Sequence, residues 1–61
     1  MKHYHVTFYG IGAIKVCAQN EKEAQEKAVA RMNEIIAHIA IANPHLENVS
    51  AEDIAAIEIE D

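Results

Sequence analysis

The chain has 61 residues, 51% hydrophobic and 25% charged, with two Gly, one Pro and a net charge of −5. This composition excludes a disordered or collagen-like chain and fits one small domain, residues 1–61, near the lower size at which a chain folds unaided. One cysteine, Cys17, excludes an internal disulfide framework and suits a reducing cytoplasm, and no stretch approaches the ~18 apolar residues of a membrane span.

Residues 3–9 alternate with period two, which predicts a first strand with Tyr4, Val6 and Phe8 on one face and His3, His5, Thr7 and Tyr9 on the other. Residues 13–19 repeat the pattern, with Ile14, Val16 and Ala18 opposed to Ala13, Lys15, Cys17 and Gln19. Gly10-Ile11-Gly12 between them reads as a hairpin loop. A three-residue loop with Gly12 at positive φ keeps the apolar face whole, pairing Tyr9 with Ala13, Val6 with Val16 and His5 with Cys17.

A long helix follows. Asn20 is its expected N-cap, with Glu23 completing a capping box, and Asn43-Pro44 supplies the stop. Ala24, Ala28, Met32, Ile35, Ile36, Ile39 and Ala42 form one apolar stripe for covering the sheet, while Glu23 and Lys27 pair on the polar back. Beyond it, Ala37, Ala40 and Ile41 leave the second half of the helix apolar nearly all round. Either Leu46 and Val49 fold over that end or a homodimer covers it, with Ala37, Ala40 and Ile41 as its interface. Ser50 and Asp53 predict one short capped turn. Residues 54–60, IAAIEIE, read as a third strand with Ala55, Ile57 and Ile59 inward and Ala56, Glu58 and Glu60 outward. A right-handed crossover then gives a ββαβ unit with the first strand central between the second and third, under one helix.

The stretches YHVTFYG, IKVCAQNEKEAQEKA and VSAEDIAAIEIED resemble the DpnD/PcfM-like family of very small proteins, which share a hairpin, a helix opened by an acidic segment and a closing strand. The resemblance rests on residues 20–24 and 51–60; the longer Ile/Ala-rich helix and the NPH loop depart from it. It implies this fold and an origin on phages or other mobile elements, and implies no catalytic residue. The short, acidic chain is also similar in class to phage proteins that disable bacterial defences, the anti-CRISPR proteins among them.

All five basic residues (Lys2, Lys15, Lys22, Lys27 and Arg31) precede Met32, and seven acids with no base follow it: Glu34, Glu47, Glu52, Asp53, Glu58, Glu60 and Asp61. Nucleic-acid binders need clustered Lys and Arg, so direct nucleic-acid binding is not expected. Glu47, Glu52, Asp53, Glu58 and Glu60 are instead the expected electrostatic contacts to a basic protein, with Tyr9 as an aromatic anchor. His3, His5 and Cys17 share the outer sheet face, and imidazole and thiolate are zinc ligands, so a metal-bound or metal-bridged dimer is the alternative. Residues i and i+2 on a strand stand about 6–7 Å apart, however, too far to converge on one ion unless the sheet bends. Glu34 and His38 can pair along the helix, and His45 is expected in a solvated loop. GIG is a turn and not a phosphate loop, because no helix follows it directly. Neither an enzyme nor a cofactor is expected: Cys17 on an open face has no oxyanion site and no shield from water. The leading expectation is a cytoplasmic interaction module that inhibits a nucleic-acid-binding defence protein; a purely structural oligomer is the remaining option.

Overall fold

The computed structural model describes residues 1–39 and 47–60. The expectations for Ala40, Ile41, Ala42, Asn43-Pro44, His45, Leu46 and Asp61 lie outside the described residues. Strands β1 (Lys2–Phe8) and β2 (Gly12–Ala18) form a hairpin, followed by helix α1 (Glu21–Ile39), a 3-10 turn (Ala51–Asp53) and strand β3 (Ile54–Ile59). The sheet order is β2-β1-β3, with β1 antiparallel to both neighbours, so the fold is the α+β arrangement expected from the pattern. Among the described residues no helix is long and apolar enough to cross a membrane.

The hairpin faces are as expected but its register is not. Tyr4 pairs with Val16, Val6 with Ile14, His3 with Cys17 and His5 with Lys15, so each rung sits two residues from the expected one. The loop closes one residue earlier, at Phe8 and Gly12, leaving Tyr9, Gly10 and Ile11 as the turn. Both glycines take positive φ, 70° at Gly10 and 132° at Gly12, a conformation that side-chain-bearing residues rarely adopt. A shift of two preserves side-chain parity, so Tyr4, Val6 and Phe8 stay on the apolar face in either register.

That face is the core. Val6 and Phe8 are fully buried and Tyr4 nearly so, and Ala18, Ala24, Ala28, Met32, Ile36 and Val49 complete the cluster. The fully buried Ala24 and Ala28 are the small members of the α1 side of this cluster. Asn20 Oδ1 accepts from the Glu23 N–H at 2.8 Å, as an N-cap should. The Glu23 carboxylate turns to Lys27 at 3.0 Å, the expected pair along the helix. Ile39, expected on the buried stripe, is 45% exposed. The reason is length: a 19-residue helix spans about 28 Å and a seven-residue strand about 23 Å, so the last turn of α1 overhangs the sheet. Glu34 pairs with Arg31 at 3.1 Å instead of His38.

Two features pin the return to β3. The side-chain amide of Asn33 is bonded twice to the backbone of Val49, accepting from its N–H at 2.7 Å and donating to its carbonyl at 3.0 Å. Val49 is thereby set into the core beside the middle of α1, and not over the end at Ala37, which stays exposed. Ser50 then caps the 3-10 turn, its N–H donating to Asp53 Oδ2 at 2.8 Å. In β3 the alternation is broken by an irregularity opposite Thr7 and Phe8, where Ile54 pairs with Phe8 and Ala56 with Thr7. Ala55 is the extra residue and is exposed, contrary to its expected inward position. The bulge exchanges a methyl group for the larger Ile54, which packs on the core together with Ile57.

Asn33→Ala leaves the Val49 N–H and carbonyl unpartnered in a half-buried setting. A loss of about 1–3 kcal/mol is expected in urea unfolding, with cooperativity retained. An unchanged midpoint would show that the Asn33 clamp contributes nothing to the fold.

Candidate functional site

The parity that sends Tyr4, Val6 and Phe8 under α1 sends His3, His5 and Thr7 to the opposite face, which none of the described elements covers. Cys17 and Lys15 join them from β2, and Glu58 joins from β3 opposite His5. The next rung is made by Glu60, just past the end of β3, whose N–H donates to the His3 carbonyl at 2.7 Å.

On this face the side chains divide into two groups. Cys17 Sγ and His3 Nδ1 are hydrogen-bonded at 3.2 Å, with the direction set by the imidazole tautomer. The expected neighbour of Cys17 was His5; the two-residue shift of the hairpin gives it His3 instead. Separately, Glu60 reaches over the central strand, with Oε1 2.9 Å from Lys15 Nζ on β2 and Oε2 3.6 Å from His5 Nδ1 on β1. Glu60 thus ties all three strands together from the outside. Among the described residues no three His, Cys, Asp or Glu side chains are grouped to hold a metal ion. His3 and Cys17 offer two ligands, and His5 is directed to Glu60.

The acids expected to form one surface are distributed over the fold. Glu58 lies on the open face beside His5, Ile59 and Glu60, which line a shallow depression of about 320 Å³. Glu52 is exposed on the 3-10 turn, and Glu47 is exposed ahead of Val49. Asp53 and Glu60 are engaged internally, one capping its turn and the other paired with Lys15. Among the described residues Glu47, Glu52 and Glu58 make no ion pair.

Tyr9 stands at the hairpin tip, 67% exposed, beside Ile11 at 47%. Its N–H donates to the Asp53 carbonyl at 2.8 Å, which locks the tip against the turn that carries Glu52. Ala37 is exposed on α1, while its expected companions Ala40 and Ile41 are not among the described residues. Sequence reasoning missed Lys15 and Ile11 as site residues. Lys15 has a signal only once the strand register is known, since it must lie within reach of a β3 acid across β1.

Geometry and burial thus define a small α+β domain with an open polar sheet face and an aromatic hairpin tip. Comparison with protein-family models, curated proteins and solved structures found no match.

The Glu60 carboxyl is held below its ordinary value of 4.5, first by the hydrogen bond from Lys15 and then by the charges of Lys15 and His5, with partial desolvation opposing them. A carboxyl with a lowered folded-state pKa stabilises the fold above its unfolded value, and that contribution disappears as pH falls through the folded value. Wild type is therefore expected to be more stable than Glu60→Gln at pH 7, with the gap shrinking once pH drops below 4.5. Paired urea titrations across that range check this, and a gap independent of pH would contradict it.

Proposed function

We propose that the chain is a non-enzymatic protein-interaction module that docks on a basic protein through its hairpin tip and the adjoining acidic turn. The observation that supports this most is Tyr9: an aromatic side chain 67% exposed, on a backbone fixed by a 2.8 Å hydrogen bond to Asp53. Anchors of this kind bind well because little of their freedom is left to lose. Ile11 widens the apolar contact, and Glu52 stands on the turn to which the tip is bonded. Glu47 and Glu58 extend the negative field to other faces and steer a positive partner toward the module. Asp53 acts through the turn it caps, and Glu60 through the sheet it braces.

The acid-only second half and the resemblance to DpnD/PcfM-like proteins support a cytoplasmic protein of phage or mobile-element origin. A nucleic-acid-binding defence protein is the partner class that fits this charge, because its Lys and Arg are arrayed for phosphates. Carboxylates on those groups would exclude the nucleic acid and inhibit the partner.

The test is capture from a bacterial lysate rich in such defence proteins, comparing wild type with Tyr9→Ala and Glu52→Lys at low and high salt. A basic, nucleic-acid-binding protein is expected on wild type at low salt. Tyr9→Ala should weaken it by about 30-fold, the scale of a hot-spot truncation of about 2 kcal/mol, and salt should release it. Equal capture by all three proteins, or release of nothing basic, would overturn the reading.

A further inference from the structure

The two edges of the sheet differ in charge and in what their backbone is free to bond, and the hydrogen-bond parity of β1 shows why. The Glu60 N–H donates to the His3 carbonyl, so the backbone groups of His3, His5 and Thr7 face β3, and those of Lys2, Tyr4, Val6 and Phe8 face β2. On β2 the residues with outward-facing backbone are then Ala13, Lys15 and Cys17. The Cys17 carbonyl already accepts from Lys27 Nζ at 2.8 Å, and with Lys15 this cation makes the β2 edge positive.

On β3 the same parity turns the N–H and C=O groups of Ile57 and Ile59 outward. Among the described residues nothing bonds to them. Past the irregularity at its start the strand pairs regularly from Ala56 to Ile59, and it contains no Lys and no Pro to discourage strand addition. Ile59 lies on the same sheet face as its partner Tyr4, yet it is 56% exposed where Tyr4 is 3% exposed. Glu58 is exposed on the other face and makes no ion pair among the described residues. With His5, Ile59 and Glu60 it lines the depression of about 320 Å³ that lies along this stretch of the edge.

We infer that β3 receives an added strand from another protein, an extended segment that alternates basic and apolar side chains. Backbone groups of Ile57 and Ile59 supply the pairing, and the side chains set the sequence that fits. Opposite Ile57 and Ile59 the added strand presents apolar side chains on the α1 side of the sheet. Opposite Glu58 it presents a Lys or Arg on the open face, in a non-hydrogen-bonded rung where side chains approach most closely. A basic residue two positions along meets Glu60, and the alternation is the same for either strand direction. Charge complementarity selects this occupant. A second copy would bring the same two acids on a chain of net charge −5, and the β2 edge would repel a basic strand with Lys15. The β3 edge is separate from the hairpin tip, so this inference does not rest on docking through Tyr9 and Glu52.

Fluorescence anisotropy tests it with a short labelled peptide alternating Lys and Val, against a peptide of the same composition with its Lys and Val in two blocks. The alternating peptide is expected to bind wild type, more weakly at high salt, and the block peptide is not. Ile59→Pro removes only an outward N–H, so it should keep its circular dichroism spectrum and bind about tenfold more weakly. Glu58→Lys should weaken binding by roughly 2- to 30-fold and keeps the test decisive if the proline variant fails to fold. Tyr9→Ala should bind as wild type does, which separates failure here from failure of the docking tip. Equal binding of the two peptides, no binding of the alternating one, or no loss in Glu58→Lys would overturn the inference. So would loss in Tyr9→Ala, which puts the peptide at the tip, or a wild-type dimer in sedimentation that Ile59→Pro abolishes, which puts a second copy on the edge.

Discussion

Among the described strands β1 is the one with a neighbour on both sides, and its alternation divides the molecule into parts with different tasks. Its even-numbered side chains Tyr4, Val6 and Phe8 form the floor on which α1 lies. Its odd-numbered side chains His3, His5 and Thr7 form the middle of the open face. The backbone obeys the same parity, and this leaves Cys17 and Ile57 with outward carbonyls on opposite edges. A core this small, with aromatics only at Tyr4 and Phe8, tolerates no error in that arrangement. One-residue slippage would exchange Val6 for His5 beneath the helix and leave an imidazole without a partner there.

Charge is divided as sharply as burial. Of the described acids in the second half, Glu34 pairs with Arg31, and Asp53 and Glu60 are taken up by the fold itself, one in a cap and one in a brace across three strands. Glu47, Glu52 and Glu58 are left to solvent. An acidic patch inferred from composition therefore becomes three separate exposed carboxylates, of which Glu52 lies on the turn bonded to the aromatic hairpin tip. The tip owes its position to two glycines: positive φ at Gly10 and Gly12 lets the chain reverse within three residues and leaves Tyr9 and Ile11 pointing to water.

What could be read from the residues was parity, and what could not was register. Alternation in residues 3–9 and 13–19 identified the core face and the polar face, and the crossover rule placed β1 in the centre. Two hairpin registers two residues apart present the same faces, and hydrophobic pattern cannot separate them. The turn conformation separates them, and it depends on which glycine closes the loop. The neighbour of Cys17 was missed for that reason alone. Ala55 was misplaced because a bulge has no periodic signature, although Ile54 is the better core residue. Ile39 was misplaced because a wheel reports a helix face and not where the sheet beneath it ends. Asn33 carries a signal of its own: a half-buried side-chain amide needs a partner, and the Val49 backbone provides it.

The pairing of β1 with β2 fixes the faces and edges of the sheet, and oxidative cross-linking to Cys17 tests it most directly. His3 and Cys17 face each other in a non-hydrogen-bonded pair, with Cα atoms about 4.5 Å apart, within the span a disulfide bridges. His5 lies diagonal to Cys17, at about 7–8 Å. His3→Cys should therefore oxidise to an intramolecular disulfide with Cys17 under mild oxidant, and His5→Cys should not. Efficient cross-linking of His5→Cys, with His3→Cys remaining reduced, would contradict the register and the faces, edges and contacts built on it.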